Sequence, residues 1–257
     1  MLQRDIDTAR RELQELKESN RFANEAMPKV CQLAGLHLSV GDLLGRTMLA
    51  SNYELAEEHY KQAREIERIL LSGASDEEDY VGHVGNSIMT LNSLGQLYSL
   101  WQREGDALQV YQEALDCVRH TMSVYGSTPF LQLKLSETLA AQGEVYNAQY
   151  ARQLRQGSGP DKQKCSAAQA LGEEALAIQR ALNAEADKLA HDRTAQSNSN
   201  IQTLNQAHRQ EGTAHALLTV ADTYVNLEMF DKARGAVQEA LELTRRRMNE
   251  DCFYYCS

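Results

Sequence analysis

The stretch LNSLGQLYSLWQREGDALQVYQEAL, from Leu91 to Leu115, constrains the fold more than any other part of the chain. It carries Leu94, Gly95 and Tyr98, a polar break, and then Ala107, Tyr111 and Ala114. Apolar residues three and four apart share a helix face, so the stretch reads as two helices joined by a turn. Gly95 and Ala107 stand where large core residues would otherwise sit. Their size predicts two helices that approach backbone to backbone, with Tyr98 and Tyr111 filling the volume at the edges of the contact. The pattern recurs. VADTYVNLEMFDKARGAVQEAL puts Val220, Ala221 and Tyr224, then Ala233, Val237 and Ala240, in the same places. Phe230-Asp231-Lys232 forms its turn, with Asp231 as a helix cap. LLGRTMLASNYELAEEHYKQA supplies Leu44, Gly45 and Met48, then Ala56, Tyr60 and Ala63, across a turn one residue shorter. Ser51 or Asn52 caps its second helix. A fourth copy, Gln142, Gly143 and Tyr146 with Ala168, Gly172 and Ala175, is split by RQLRQGSGPDKQK. Gly157, Gly159 and Pro160 mark that insert as a loop.

A unit of this kind resembles the tetratricopeptide repeat (TPR), whose first helix carries Leu-Gly-x-x-Tyr and whose second carries Ala-x-x-x-Phe. The likeness covers roughly residues 40–248. Its equivalent small positions, Gly45, Gly95, Gly143 and Ala221, lie further apart than the family period of about 34 residues. Such expanded repeats are loosely similar to the kinesin light chain type, as is the segment Thr90-Leu91-Asn92-Ser93-Leu94-Gly95. The resemblance implies an all-α chain, a right-handed α-solenoid of about four TPR-like helix pairs with an N-terminal capping helix. Residues 1–27 form that amphipathic helix, through a seam of Leu2, Ile6, Ala9, Leu13 and Leu16, and either cap the solenoid or dock a partner. Residues 28–248 form the solenoid, with insertions near 155–166 and 187–210, and residues 249–257 form a tail.

Composition supports helices and narrows the function. Three prolines interrupt a chain of 257 residues dominated by good helix formers. A net charge of −10 opposes broad nucleic-acid binding, and no apolar run reaches the length of a membrane span. The Arg245-Arg246-Arg247 run reads as a solvated last helical turn, and Ser75 as part of a solvated acidic loop. The N-terminus lacks a signal-type apolar core, and five scattered cysteines fit reduced thiols in a cytoplasmic location.

No phosphate-binding glycine loop, zinc motif or nucleophile elbow is present. The expectation is a non-enzyme with no catalytic, cofactor-binding or metal-binding residues and no cofactor. The TPR resemblance implies a concave groove lined by the first helix of each pair, where a protein or peptide partner is held. Its groove positions map to Asp42 and Arg46, to Asn92 and Gln96, to Glu137, Glu144 and Asn147, and to His215, Asp222 and Asn226. Acids and amides predominate. The lysines of a two-carboxylate clamp for Hsp70 or Hsp90 tails are missing, and a polar or basic segment is the expected ligand. The alternative expectation is a structural subunit of a cytoskeletal, ciliary or organellar assembly.

Overall fold

The computed structural model describes residues 4, 7, 8, 11 and 22–255, apart from 48, 75, 158, 160 and 193–198. From residue 22 onward, side chains are described over 28–186 and 211–245, with those exceptions and residue 50. The N-terminal seam from Leu2 to Leu16, Ser75 and the side chains of Arg246, Arg247, Cys252 and Cys256 lie outside them. Among the described residues the regular elements are α-helices only: α1 (Phe22–Arg46), α2 (Ala50–Ser72), α3 (Glu77–Leu100), α4 (Glu104–Tyr125), α5 (Pro129–Arg155), α6 (Lys162–Asp192), α7 (Ser199–Asn226) and α8 (Phe230–Tyr255). Helix α1 runs straight across the expected boundary at 27/28 and contains Pro28. The expected insertion at 155–166 shrinks to a connection over 156–161. Much of 187–210 and of the expected tail is helical. Among the described residues no helix is long and apolar enough to cross a membrane.

The chain divides into two compact units, residues 1–126 and 127–257, and neighbouring helices pair within each. In unit 1 the small positions work as glycine–tyrosine contacts. A Cβ on Gly95 would lie 2.6 Å from the Tyr111 ring, and one on Gly41 would lie 2.6 Å from the Tyr60 ring. Each tyrosine thus lies flat against a bare stretch of the paired helix, while Ala56, Ala63, Ala107 and Ala114 are buried around it. This corrects two sequence expectations. Tyr111, rather than Ala107, occupies the space that Gly95 leaves. Gly41 also replaces Gly45 as the small position of the first pair, since Gly45 has no atom nearer than Leu97 Cδ1 at 3.5 Å. The α1–α2 seam is completed by Leu33 and Val40 with Ile66, and by two buried histidines, His37 and His59. Their Nδ1 atoms are 2.9 Å apart, so one ring donates and the other accepts.

Unit 2 uses its glycines differently. A Cβ on Gly143 of α5 would meet Thr219 at 3.2 Å and the Ala168 carbonyl at 3.5 Å, and one on Gly172 of α6 would meet Val220 at 2.8 Å. The bare stretches of both helices therefore receive α7. Buried amides reinforce this. Gln179 of α6 donates to Ser136 of α5 at 2.6 Å and lies against Gly212 of α7, while Asn147 of α5 donates to the Thr219 carbonyl at 3.0 Å. Helix α8 buries Ala233, Ala236 and Ala240 but leaves Val237 exposed, contrary to the core place expected for it.

The two gapless repeats end their first helix in the same way. Gln102 and Glu228 each have φ of 60°. Arg103 N–H reaches the Tyr98 carbonyl and Gln102 N–H that of Ser99; Met229 and Glu228 do the same to Tyr224 and Val225. This is the Schellman arrangement, which closes the last carbonyls of a helix and normally uses glycine at the left-handed residue. The second helix then opens with Ala107 N–H on the Arg103 carbonyl and Ala233 N–H on that of Met229. Asp231 consequently lies inside α8 rather than capping it.

Candidate functional site

Helix packing in unit 1 opens a cleft of about 330 Å³ between α1 and α3, with α2 as its floor. Asp42, Gly45 and Arg46 line it from α1, Tyr60 from α2, and Ser93, Gln96, Leu97 and Leu100 from α3. The floor is fixed from below. With its ring held on Gly41, Tyr60 points its hydroxyl into the cleft and donates to Asp42 Oδ1 at 2.7 Å. Burial first, and then Asp42, push the Tyr60 phenol far above its ordinary range, so it is a permanent donor here. Ser93, from α3, acts on the same phenol in the opposite sense and lowers it slightly.

The rim differs from the floor. Arg46 and Gln96 are exposed, and neither side chain is hydrogen-bonded or ion-paired to a described residue. Leu100 lies beside them, 43% exposed. The site therefore combines a fixed acceptor and hydroxyls below with an uncommitted guanidinium, a carboxamide and an aliphatic surface above.

Beyond one end of the floor, Glu57 of α2 accepts from the Tyr98 hydroxyl at 2.7 Å and pairs with Arg103 at 3.0 Å and Lys61 at 2.8 Å. Burial opposes ionisation of Glu57, but these bonds outweigh it and hold the carboxyl below its usual range. The Arg103 guanidinium also lies 4.4 Å over the Tyr98 ring and 4.9 Å over Trp101.

Of the residues mapped from the sequence, Asp42, Arg46 and Gln96 come together in the cleft. Asn92 lies one turn along α3 and is not part of the lining. The unit 2 residues gather on α5 and α7. His215 bonds Glu144 at 2.8 Å, which raises the imidazole above its ordinary value, with Glu137 and Glu211 adding to the effect. Asp222 is raised by burial and then by Glu144. Glu137 is paired with Lys134 at 2.9 Å. Asn147 is buried, and its Oδ1 accepts from Thr223 at 3.0 Å and Asn226 at 3.3 Å, so these amides join helices. Tyr60, Ser93, Leu97 and Leu100 were absent from the sequence map. Tyr60 was legible only as a packing residue, because its ring and its hydroxyl serve different surfaces.

Among the described residues no group of three or more His, Cys, Asp or Glu side chains could hold a metal ion. No protein-family model matches the chain, and no curated protein matches it. Among solved structures the chain is similar to BtubC (BKLC) from P. vanneervenii, at 19% identity and a TM-score of 0.44. That match covers 97% of this chain and 92% of the other.

Proposed function

We propose that the chain is a non-enzymatic protein-interaction module whose unit 1 cleft receives a polar segment of a partner protein. One observation carries this reading: Arg46 and Gln96 stand exposed, with no hydrogen bond or ion pair to a described residue, over a floor where Tyr60 and Asp42 are bonded to each other. A carboxamide can donate to and accept from a peptide main chain whatever its side chains, and a guanidinium adds donors for a carbonyl or carboxylate. In unit 2, Asp222 is exposed and offers charge for a basic residue, beside a Glu144 already bonded to His215. A photo-crosslinking residue at Gln96 should capture the partner from the native source, whereas one at Glu65, exposed on α2, should not. Equal capture from both positions would sink the cleft reading. Arg46→Ala should then weaken capture more at low salt than at high salt.

One feature favours the second reading, a structural subunit of a larger assembly. Phe230 (60% exposed), Val237 and Leu241 (50% exposed) follow one another at helical spacing along α8. Under that reading Val237→Glu with Leu241→Lys would abolish incorporation, while changes at Arg46 and Gln96 would leave it intact.

A further inference from the structure

The α2–α3 seam carries three polar rungs whose numbering runs in opposite directions along the two helices. Glu57 meets Tyr98, Tyr60 meets Ser93, and Glu67 meets Thr90. The first two are shared with charged or hydroxyl groups at the edge of the seam. The third is not. Glu67 is 2% exposed, and Thr90, fully buried, donates to its Oε1 at 2.6 Å. Its Oε2 is buried with no hydrogen-bond partner among the described residues. An ionised carboxylate in that position lacks the donors that would replace water.

The surrounding charges do not rescue it. Arg64, one turn earlier on α2, is the charged group that acts on Glu67, and it is ion-paired to Glu113 of α4. From α3 the facing group is the neutral Thr90 hydroxyl, while His37 of α1 and His59 of α2, buried in the neighbouring seam, are bonded to each other. We propose that the Glu67 carboxyl is a proton-held latch of the α2–α3 seam, closed while the group is neutral and released when it ionises. Burial pushes the carboxyl up to about 7, against the Thr90 bond and Arg64, so the latch is set to operate near neutral pH. Tyr60 lies two turns before Glu67 on α2, and Ser93 and Leu97 follow Thr90 on α3. Release therefore loosens the floor and one wall of the cleft. The latch bears on the proposed function by making partner binding weaken as pH rises.

Hydrogen exchange of the full chain, read on peptides covering α3, tests this without any ligand. After correction for intrinsic exchange, opening should increase about tenfold in the wild type between about pH 6 and about pH 8.5, from a folded value near 7 and an ordinary Glu value near 4.3. Glu67→Gln, which keeps the size and the acceptor but cannot ionise, should show no such increase. A pH effect common to both proteins does not come from Glu67. Thr90→Val removes the bond that favours ionisation and should move the opening to higher pH. Equal pH dependence in the wild type and Glu67→Gln, or an unmoved opening in Thr90→Val, would overturn the latch. Either result leaves the cleft reading intact, just as failed crosslinking at Gln96 leaves the latch intact.

Discussion

The two units solve one packing problem by different chemistry. In unit 1 a glycine on the first helix of each pair takes the ring of a tyrosine from the second, at Gly41–Tyr60 and Gly95–Tyr111. In unit 2 the glycines of α5 and α6 both accept the next helix, α7, and buried amides of Asn147 and Gln179 join three helices. A ring on a glycine is held by shape, so it tolerates no added volume. An amide between helices is held by directional bonds, so it tolerates no lost partner. Unit 1 should therefore be sensitive to enlargement and unit 2 to deletion of polar groups.

The largest effect tests the sensitivity of unit 1 to enlargement. Gly95→Leu would drive a side chain into the Tyr111 ring and should cost about 1–3 kcal/mol or more. Gly35→Ala on α1, where nothing lies within 4 Å, should instead stabilise by up to about 1 kcal/mol. Thermal melts followed by circular dichroism would decide, and equal midpoints for the two variants would break the comparison. Next comes Asn147→Ala in unit 2. It removes a bond to the Thr219 carbonyl and acceptors for Thr223 and Asn226, and should cost about 1–3 kcal/mol in urea denaturation.

A smaller effect of opposite sign joins the units. Gln102 and Glu228 occupy left-handed positions suited to glycine, so Gln102→Gly and Glu228→Gly should each stabilise by about 1 kcal/mol. A loss of stability in either would show that the side chain contributes more than the backbone strain.

The smallest prediction concerns pH in unit 2. Glu144 raises the folded value of His215 above its ordinary 6.5, so protonation favours the fold. The stabilisation is complete below 6.5 and is lost as pH rises through the raised value. Both side chains are nearly half exposed, so solvent screens the pair and it should contribute only a few tenths of a kcal/mol. His215→Gln should remove that share of the pH dependence, as measured by melts across the neutral range.

Much of this architecture was legible in the sequence where spacing and residue size point the same way. The helix pair around Gly95 and Tyr111 is one case, and the all-helical pairing is another. The first pair was misregistered because Gly45 and Tyr60 matched the spacing for a short turn. With α1 ending at Arg46 and α2 starting at Ala50, Gly41 rather than Gly45 stands opposite the ring. The two Schellman turns were hidden because they use Gln and Glu where the usual signal is glycine. In the site, Asp42, Arg46 and Gln96 were expected from the groove positions that the TPR resemblance implies. The latch did not, because Glu67 looks like any helical glutamate until the packing of α3 buries it.

Tyr60 has a consequence for anyone who would redesign the cleft. Its ring belongs to the interior and its hydroxyl to the proposed binding surface, so under that proposal changes there alter folding and recognition together. Arg46 and Gln96 touch the interior hardly at all. Under the proposed function, the specificity of the cleft can therefore be rewritten from its rim, one substitution at a time, while the floor that gives it shape stays the same.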